Sequence, residues 1–412
     1  MSLSHRLTRM TGRDPEESHR AATPLELLFD LTFVVAFSQI SSQAAHALEL
    51  GHMSTALSGF AFATFAVTWA WINYSWLASA YDNEDIFFRI ATLVVMVGVL
   101  VVALGVPDVF HSLDEGEHLN NTVMVAGYVI MRLATIAIWL RAAKHDPERR
   151  RTCLAYAINI SIAQVGWVAV IFLNLSVSTS FFVAGVLILF ELAGPLFAEL
   201  RYGRTPWHPH HIAERYGLLV IISLGEVVLG TILAISAVVE RDGWTVEAGL
   251  IAFGGTALAF AMWWVYFVIE PGPVLARHPI RAFPWGYGHI FLFASVIGVG
   301  AGLHVAAQAV GGHDAEVGTL FAVLAVAIPV LAFEIMVLTL YAVLLMQFDT
   351  FHLWLFLGSL AVLILAVVAV VLGASLGVAL VVIALSPAVI IVGYETVGWR
   401  HSNEMLERTL GR

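Results

Sequence analysis

The sequence predicts an all-α, polytopic integral membrane protein of about twelve transmembrane helices, arranged as two parallel six-helix repeats with both termini cytoplasmic. Three observations predict it. The 412-residue chain is 59% hydrophobic and 12% charged, with a mean hydropathy of +0.86, whereas a soluble domain carries roughly 25% charged residues. Apolar stretches long enough to cross ~30 Å of hydrocarbon recur along nearly all of it. Lysine and arginine then sort onto alternate loops, the pattern that orients bacterial membrane proteins.

Taken in order, the first 20 residues hold Arg6, Arg9, Arg13 and Arg20 without an apolar core. They form a basic arm rather than a cleavable signal peptide. Six spans are expected near 24–48, 56–80, 86–110, 120–143, 151–174 and 177–200, and six more near 212–238, 246–270, 284–310, 317–346, 351–373 and 376–399. Basic residues then collect in the arm, in the loop from Arg141 to Arg151, beside Arg201 and Arg204, beside Arg277 and Arg281, and in the tail with Arg400, Arg408 and Arg412. That side is the cytoplasm. The opposite loops hold His46 to His52, Asp108 to His118, Asn174 to Thr179 and His313 to Glu316, and their one basic residue besides histidine is Arg241. Trp139, Trp207, Trp244, Trp285 and Trp354 fall near span ends, as interfacial anchors do.

The stretch AFATFAVTWAWINY resembles AFGGTALAFAMWWVYF, with Trp71 and Tyr74 matching Trp263 and Tyr266 at an offset of 192. Glu26, opening the first span, matches Glu214, opening the seventh, at an offset of 188. An even number of spans in each copy makes the copies parallel, related by an axis along the membrane normal. The expected organisation is a cytoplasmic arm at 1–20, repeats at 21–203 and 204–400, and a cytoplasmic tail at 401–412.

A charge inside a span costs on the order of 2.5–3.5 kcal/mol even on insertion scales. Glu26, Asp30, Arg132, Glu191, Glu226 and Glu334 are therefore the candidate binding or coupling residues. Glu26 and Asp30 share one helix face, four residues apart, at the cytoplasmic end of the first span; helix-dipole compensation accounts for Glu26 better than for Asp30. Glu226 lies near mid-membrane after Gly225, which thins its helix. Arg132 and Glu334 occupy equivalent mid-membrane positions of the two repeats, which predicts an ion pair between them. Glu191 precedes Gly194 and Pro195, a pattern that suggests a helix break freeing carbonyls toward a cavity; Pro387 and Glu395 echo it in the last span. His289 reads as a hydrogen-bonded core residue.

The cytoplasmic mouth of the seventh span holds His208, His210, His211, Glu214 and Arg215, a density that suits a proton relay, a divalent metal or plain interfacial histidines. No metal ligand, catalytic residue or cofactor is assigned. Cys153, the one cysteine, excludes an internal disulfide, and no P-loop, GxSxG or HExxH motif is present. The net charge of −10 lies in short loops and within spans, and gives no indication of nucleic acid.

At TPLELLFDLTFVVAFSQ, HIAERYGLLVIISLGE and MWWVYF the chain resembles the bacterial low temperature requirement A (LtrA) family of multi-pass membrane proteins, from about Thr23 to Trp399. The resemblance implies a fold and an inner-membrane location more than a mechanism. It marks Glu26, Phe29, Asp30, Glu214, Arg215, Gly217, Gly225 and Glu226. One departure is Val268, where related sequences often carry an aspartate; the nearest acid is Glu270. The expected function is a transporter or permease with a polar, proton-coupled central cavity. Its partners are the lipid bilayer and a small-molecule or ion substrate, with self-association left open. The alternatives are a membrane-embedded enzyme acting on a lipid or hydrophobic substrate at the cytoplasmic face, and a non-catalytic scaffold in stress or cold adaptation.

Overall fold

Helix starts in this chain are written into single residues. Pro24 and Pro209 open α1 and α7, at positions where a missing amide donor costs nothing. The side chains of Asp85, Ser176, Thr245 and Ser375 accept from the amides three residues on, capping four later helices. The computed structural model describes residues 7–17, 20–311, 318–347 and 350–411; Arg6, the loop His313 to Glu316 and Arg412 lie outside them.

The helices are α1 (Pro24–Glu49), α2 (Met53–Tyr81), α3 (Ile86–Glu115), α4 (Thr122–His145), α5 (Arg150–Phe172), α6 (Val177–Tyr202), α7 (Pro209–Asp242), α8 (Val246–Phe267), α9 (Gly272–Arg277), α10 (Ala282–Gly311), α11 (Thr319–Leu345), α12 (Thr350–Val371), α13 (Leu376–Gly393) and α14 (Trp399–Leu410). Among the described residues, twelve helical segments are long and apolar enough to cross a membrane, and they coincide with the twelve expected spans to within the lengths of their ends. The short α9 and the amphipathic α14 extend the eighth and last of these. α6 runs unbroken through Gly194 and Pro195, so the expected break there does not occur. The irregularity comes instead in the last span, where α13 passes through a π-helical turn at Tyr394–Gly398 into α14.

The chain divides into two compact units, residues 1–39 with 65–215, and residues 40–64 with 216–412. In unit 1, α3 packs on α4, α4 on α5 and α5 on α6. Gly98 and Gly127 bring α3 and α4 together so closely that a Cβ at Gly98 would stand 2.8 Å from the Gly127 carbonyl oxygen, the close approach by which membrane helices gain dispersion contact. In unit 2, α10 packs on α11, α11 on α12, and α13 on both α12 and α8.

The basic arm is docked rather than solvated. The Arg13 amide donates to the Ala80 carbonyl (3.0 Å), the Thr8 amide to Asp85 (3.1 Å), and Arg141 holds both Asp85 and the Thr8 carbonyl. Met10 is fully buried.

Candidate functional site

The acidic pair of α1 is enclosed. Glu26 closes a capping box with Thr23: its Oε2 accepts from the Thr23 amide (2.9 Å) while Thr23 Oγ1 accepts from the Glu26 amide (3.2 Å). Its other oxygen faces Arg215 at 2.8 Å, and His211 Nε2 lies 3.1 Å from Oε2. Asp30, one turn deeper, accepts from Arg215 (2.6 and 3.2 Å) and from the Trp71 indole N–H (2.7 Å). Glu26, Asp30, His211 and Arg215 are all fully buried. One arginine thus bridges two carboxylates, the arrangement in which a buried charge becomes tolerable. Arg215 follows Pro209 by six residues and Asp30 follows Pro24 by six, so each lies ~9 Å into its helix at 1.5 Å per residue. That equality of depth was the available signal that Arg215, assigned from sequence only to the cytoplasmic mouth, is the partner of the acidic pair.

The histidine cluster disperses. His208 contacts the Glu17 carbonyl (2.8 Å), His211 turns to Glu26, and His210 and Glu214 are exposed, Glu214 accepting from the Ala22 amide (3.2 Å). Glu214 therefore does not share the buried setting of Glu26. Among the described residues no three His, Cys, Asp or Glu side chains converge as a metal site.

A second buried network surrounds Arg132. It donates to Glu191 (2.7 Å) and to the Tyr128 hydroxyl. Glu191 also accepts from the Tyr128 hydroxyl (2.8 Å) and from the indoles of Trp69 and Trp167 (2.7 Å each). The expected Arg132–Glu334 pair is thus replaced: the carboxylate that meets Arg132 is Glu191. The aromatic donors were missed in sequence, although a buried indole N–H needs an acceptor and a mid-span acid can supply one. Glu334, in unit 2, accepts instead from Ser386 (2.7 Å), which also contacts Ser359 Oγ (2.7 Å). His289 is a core residue as expected, between Tyr266 (2.9 Å) and the Trp285 carbonyl (2.8 Å).

At the loop between α2 and α3, outside the spans, burial pushes the Asp82 carboxyl up to about 7, and the nearby Glu26 charge adds to it. Asp85 moves the other way. Burial raises it, but Arg141 and the Phe88 and Thr8 amides outweigh burial and hold it at about 2.

Glu226 is buried in α7, with α10 pressed on it: a Cβ at Gly300 would stand 2.8 Å from the Glu226 Cβ. Gly225, which thins α7 beside Glu226, points outward, and a Cβ there would meet nothing within 4 Å. One turn beyond Gly300, His304 lines a cavity of about 850 Å³. Gln43 and Glu49 of α1, Ser236 and Glu240 of α7, and Gln308 of α10 supply much of its polar wall.

Apolar helices of spanning length carrying buried ion pairs define a polytopic membrane protein. The chain belongs to the bacterial low temperature requirement A (LtrA) family, whose profile matches residues 21–387. It is also 25% identical over 277 residues to an uncharacterized protein of Rhizobium meliloti (strain 1021), a match covering 65% of this chain and 63% of the relative's length.

Proposed function

We propose that the protein is a carrier for a small polar solute, working through the unit 2 cavity and coupled to protons through Glu226. The observation that carries this reading is the cavity itself. Its 850 Å³ falls within the range of small-molecule sites, ~300–1,000 Å³. Its largely apolar wall is studded with polar groups, Gln43, Glu49, Ser236, Glu240 and Gln308, and its deepest α10 residue, His304, is one turn from Gly300, which sits on Glu226. With both termini cytoplasmic, as the basic loops favour, the C-terminal ends of α1, α7 and α10 put the cavity mouth on the opposite side.

Two parallel repeats belong to the same proposal. Tyr74 of α2 meets Thr92 of α3 (2.5 Å), and its counterpart Tyr266 of α8 meets His289 of α10 (2.9 Å). Arg132 of α4 bonds Glu191 of α6, and Glu334 of α11 bonds Ser386 of α13. The fourth and sixth spans of each copy are thus tied at mid-membrane. The enzyme reading is less well supported, because Glu26, Asp30 and His211 are buried within their own ion pairs. A scaffold requires no such cavity.

Cys153 is buried and the single thiol, so a Cys153→Ala background isolates one engineered cysteine. Ser236→Cys in that background should react with a membrane-impermeant thiol reagent applied outside intact cells; full protection there would remove the cavity reading. A thermal-shift panel of amino acids, amines, sugars and organic acids then selects a solute for uptake into proteoliposomes under a pH gradient. Glu226→Gln should keep fold and expression and abolish the pH dependence. Uptake with its pH dependence intact in that variant would remove Glu226 from the coupling.

A further inference from the structure

Glu334 is a buried acid of unit 2 that lies apart from the solute cavity. It sits near the middle of α11 and is 1% exposed, so its side chain is removed from bulk water. Ser386 donates to Oε1, but Oε2 has no hydrogen-bond partner. A carboxylate oxygen left in that state inside a span costs several kcal/mol. The cost falls if Oε2 carries a proton, or if something outside the chain supplies one.

Space for such a supply is present. Glu334 lines a pocket of about 40 Å³, the size of one water molecule, whose wall is otherwise almost entirely apolar. Leu338, Tyr341 and His352 line this pocket and also a larger groove of about 560 Å³ that reaches Met346 and Gln347 at the end of α11. The groove and the pocket thus adjoin at Tyr341 and His352, which stand between the groove and Glu334. Tyr394 lines the inner pocket and begins the π-helical turn of the last span, and such turns recur at functional sites.

The occupant follows from what surrounds the oxygen. An alkali or divalent cation stripped of water needs about six oxygen ligands. Here Glu334 has two serine residues nearby, Ser386 and Ser359, while the rest of the wall on the α8 side is Val265 of α8 and Val268 and Ile269 just after it. That donor set is too poor for a metal ion and sufficient for a proton. The titratable groups that line the pocket with Glu334 are Tyr341 on α11, His352 on α12 and Tyr394 after α13. α10 meets this stretch of α11 through Gly288, against Leu340 and Met336, and its His289 is held by Tyr266 and the Trp285 carbonyl.

We propose that Glu334 is a proton-binding site served from the C-terminal end of α11, the cytoplasmic side in the orientation adopted above, through the Tyr341–His352 crevice. This rests on the carrier reading and gives it a second protonation site, reached from the face opposite the solute cavity. A proton arriving through the crevice binds Oε2 while Ser386 keeps Oε1. The two protonation sites of unit 2 are then reached from different sides, and neither needs the other's access path.

A hydrophobic carbodiimide tests this on the full-length wild-type protein in membranes, because it adds only to protonated carboxyl groups and needs no known solute. Tryptic mass spectrometry after labelling at about pH 6 should find the adduct on Glu334, with yield falling toward about tenfold per pH unit once the group ionises. Glu191, held by Arg132, serves as the internal control and should remain unlabelled. Replacing choline with sodium at constant ionic strength should leave the labelling unchanged. His352→Ala, which leaves Glu334 and its serines in place and widens the crevice, should speed labelling by a water-soluble carbodiimide more than labelling by the hydrophobic one. Absence of the adduct, equal labelling at about pH 6 and about pH 9, or an unaltered rate in His352→Ala overturns the proposal, and sodium protection replaces the proton with a metal cation. The Ser236→Cys result reads the other cavity, so failure of one is distinguishable from failure of the other.

Discussion

The two units treat buried acid differently. Three buried acids of unit 1 meet arginine: Arg215 holds Glu26 and Asp30, and Arg132 holds Glu191 inside a cage of Tyr128, Trp69 and Trp167, while Glu199 is held by the Tyr156 and Thr205 hydroxyls. Unit 2 answers Glu334 with serine hydroxyls and places a water-sized pocket beside it, and it opens a polar cavity one turn above the Glu226 layer. A carboxylate locked to a guanidinium cannot lose its charge without stranding its partner. One held by hydroxyls can. The difference assigns stability to the first arrangement and responsiveness to the second.

The largest expected effect therefore lies in unit 1. Arg215→Leu strands two buried carboxylates and should cost about 3–5 kcal/mol, the range for breaking a buried pair. It would be measured as loss of folded protein in detergent or a large fall in melting temperature. Arg132→Leu should be worse than Arg132→Leu with Glu191→Leu, because the double variant leaves no lone charge. If the double variant is as unstable as the single, the ion pair is not what holds α4 to α6. Glu26→Gln, a mild interfacial change on sequence grounds alone, should instead weaken unit 1, since it removes the charge that Arg215 and His211 face.

Smaller effects sharpen the contrast. Gly300→Ala places a methyl 2.8 Å from the Glu226 Cβ, and overpacking of this kind costs about 1–3 kcal/mol; Gly225→Ala, facing open space, should be neutral in the same thermal assay. Asp82 gives a pH signature. Its folded value of about 7 is above the ordinary 3.8, so it contributes stability fully present below about pH 4 and lost as pH rises through about 7. Asp82→Asn should flatten the stability profile across that window. A variant profile that still declines between those pH values would assign the decline to another group. Thr23→Ala, which opens the capping box at α1, should cost about 1 kcal/mol.

The spans were legible because hydropathy and the sorting of arginines report directly on depth and side. Pairing was not, because depth does not say which way a side chain points. Arg132 was paired with Glu334 because the two share a depth in equivalent spans, and only the packing of α4 through α6 selects Glu191. Pro195 was read as a break, yet α6 continues, since one lost amide donor is tolerated when neighbouring helices enclose the turn. The acidic face of α1 was seen, but its enclosure depends on Arg215 and Trp71, residues far away in sequence, and on Arg20 folding back onto it.

The central claim, that the Glu226 and Glu334 regions of unit 2 respond to protons while the Arg132–Glu191 network of unit 1 is locked, is tested most directly by hydrogen–deuterium exchange of the whole protein at two pH values, corrected for intrinsic rates. The account predicts pH-dependent protection in α10, α11 and α13, around Gly300, Glu334 and Ser386, and none in α4 to α6 around Arg132 and Glu191. Equal changes in both units, or changes confined to the peptides holding Arg132 and Glu191, would contradict it.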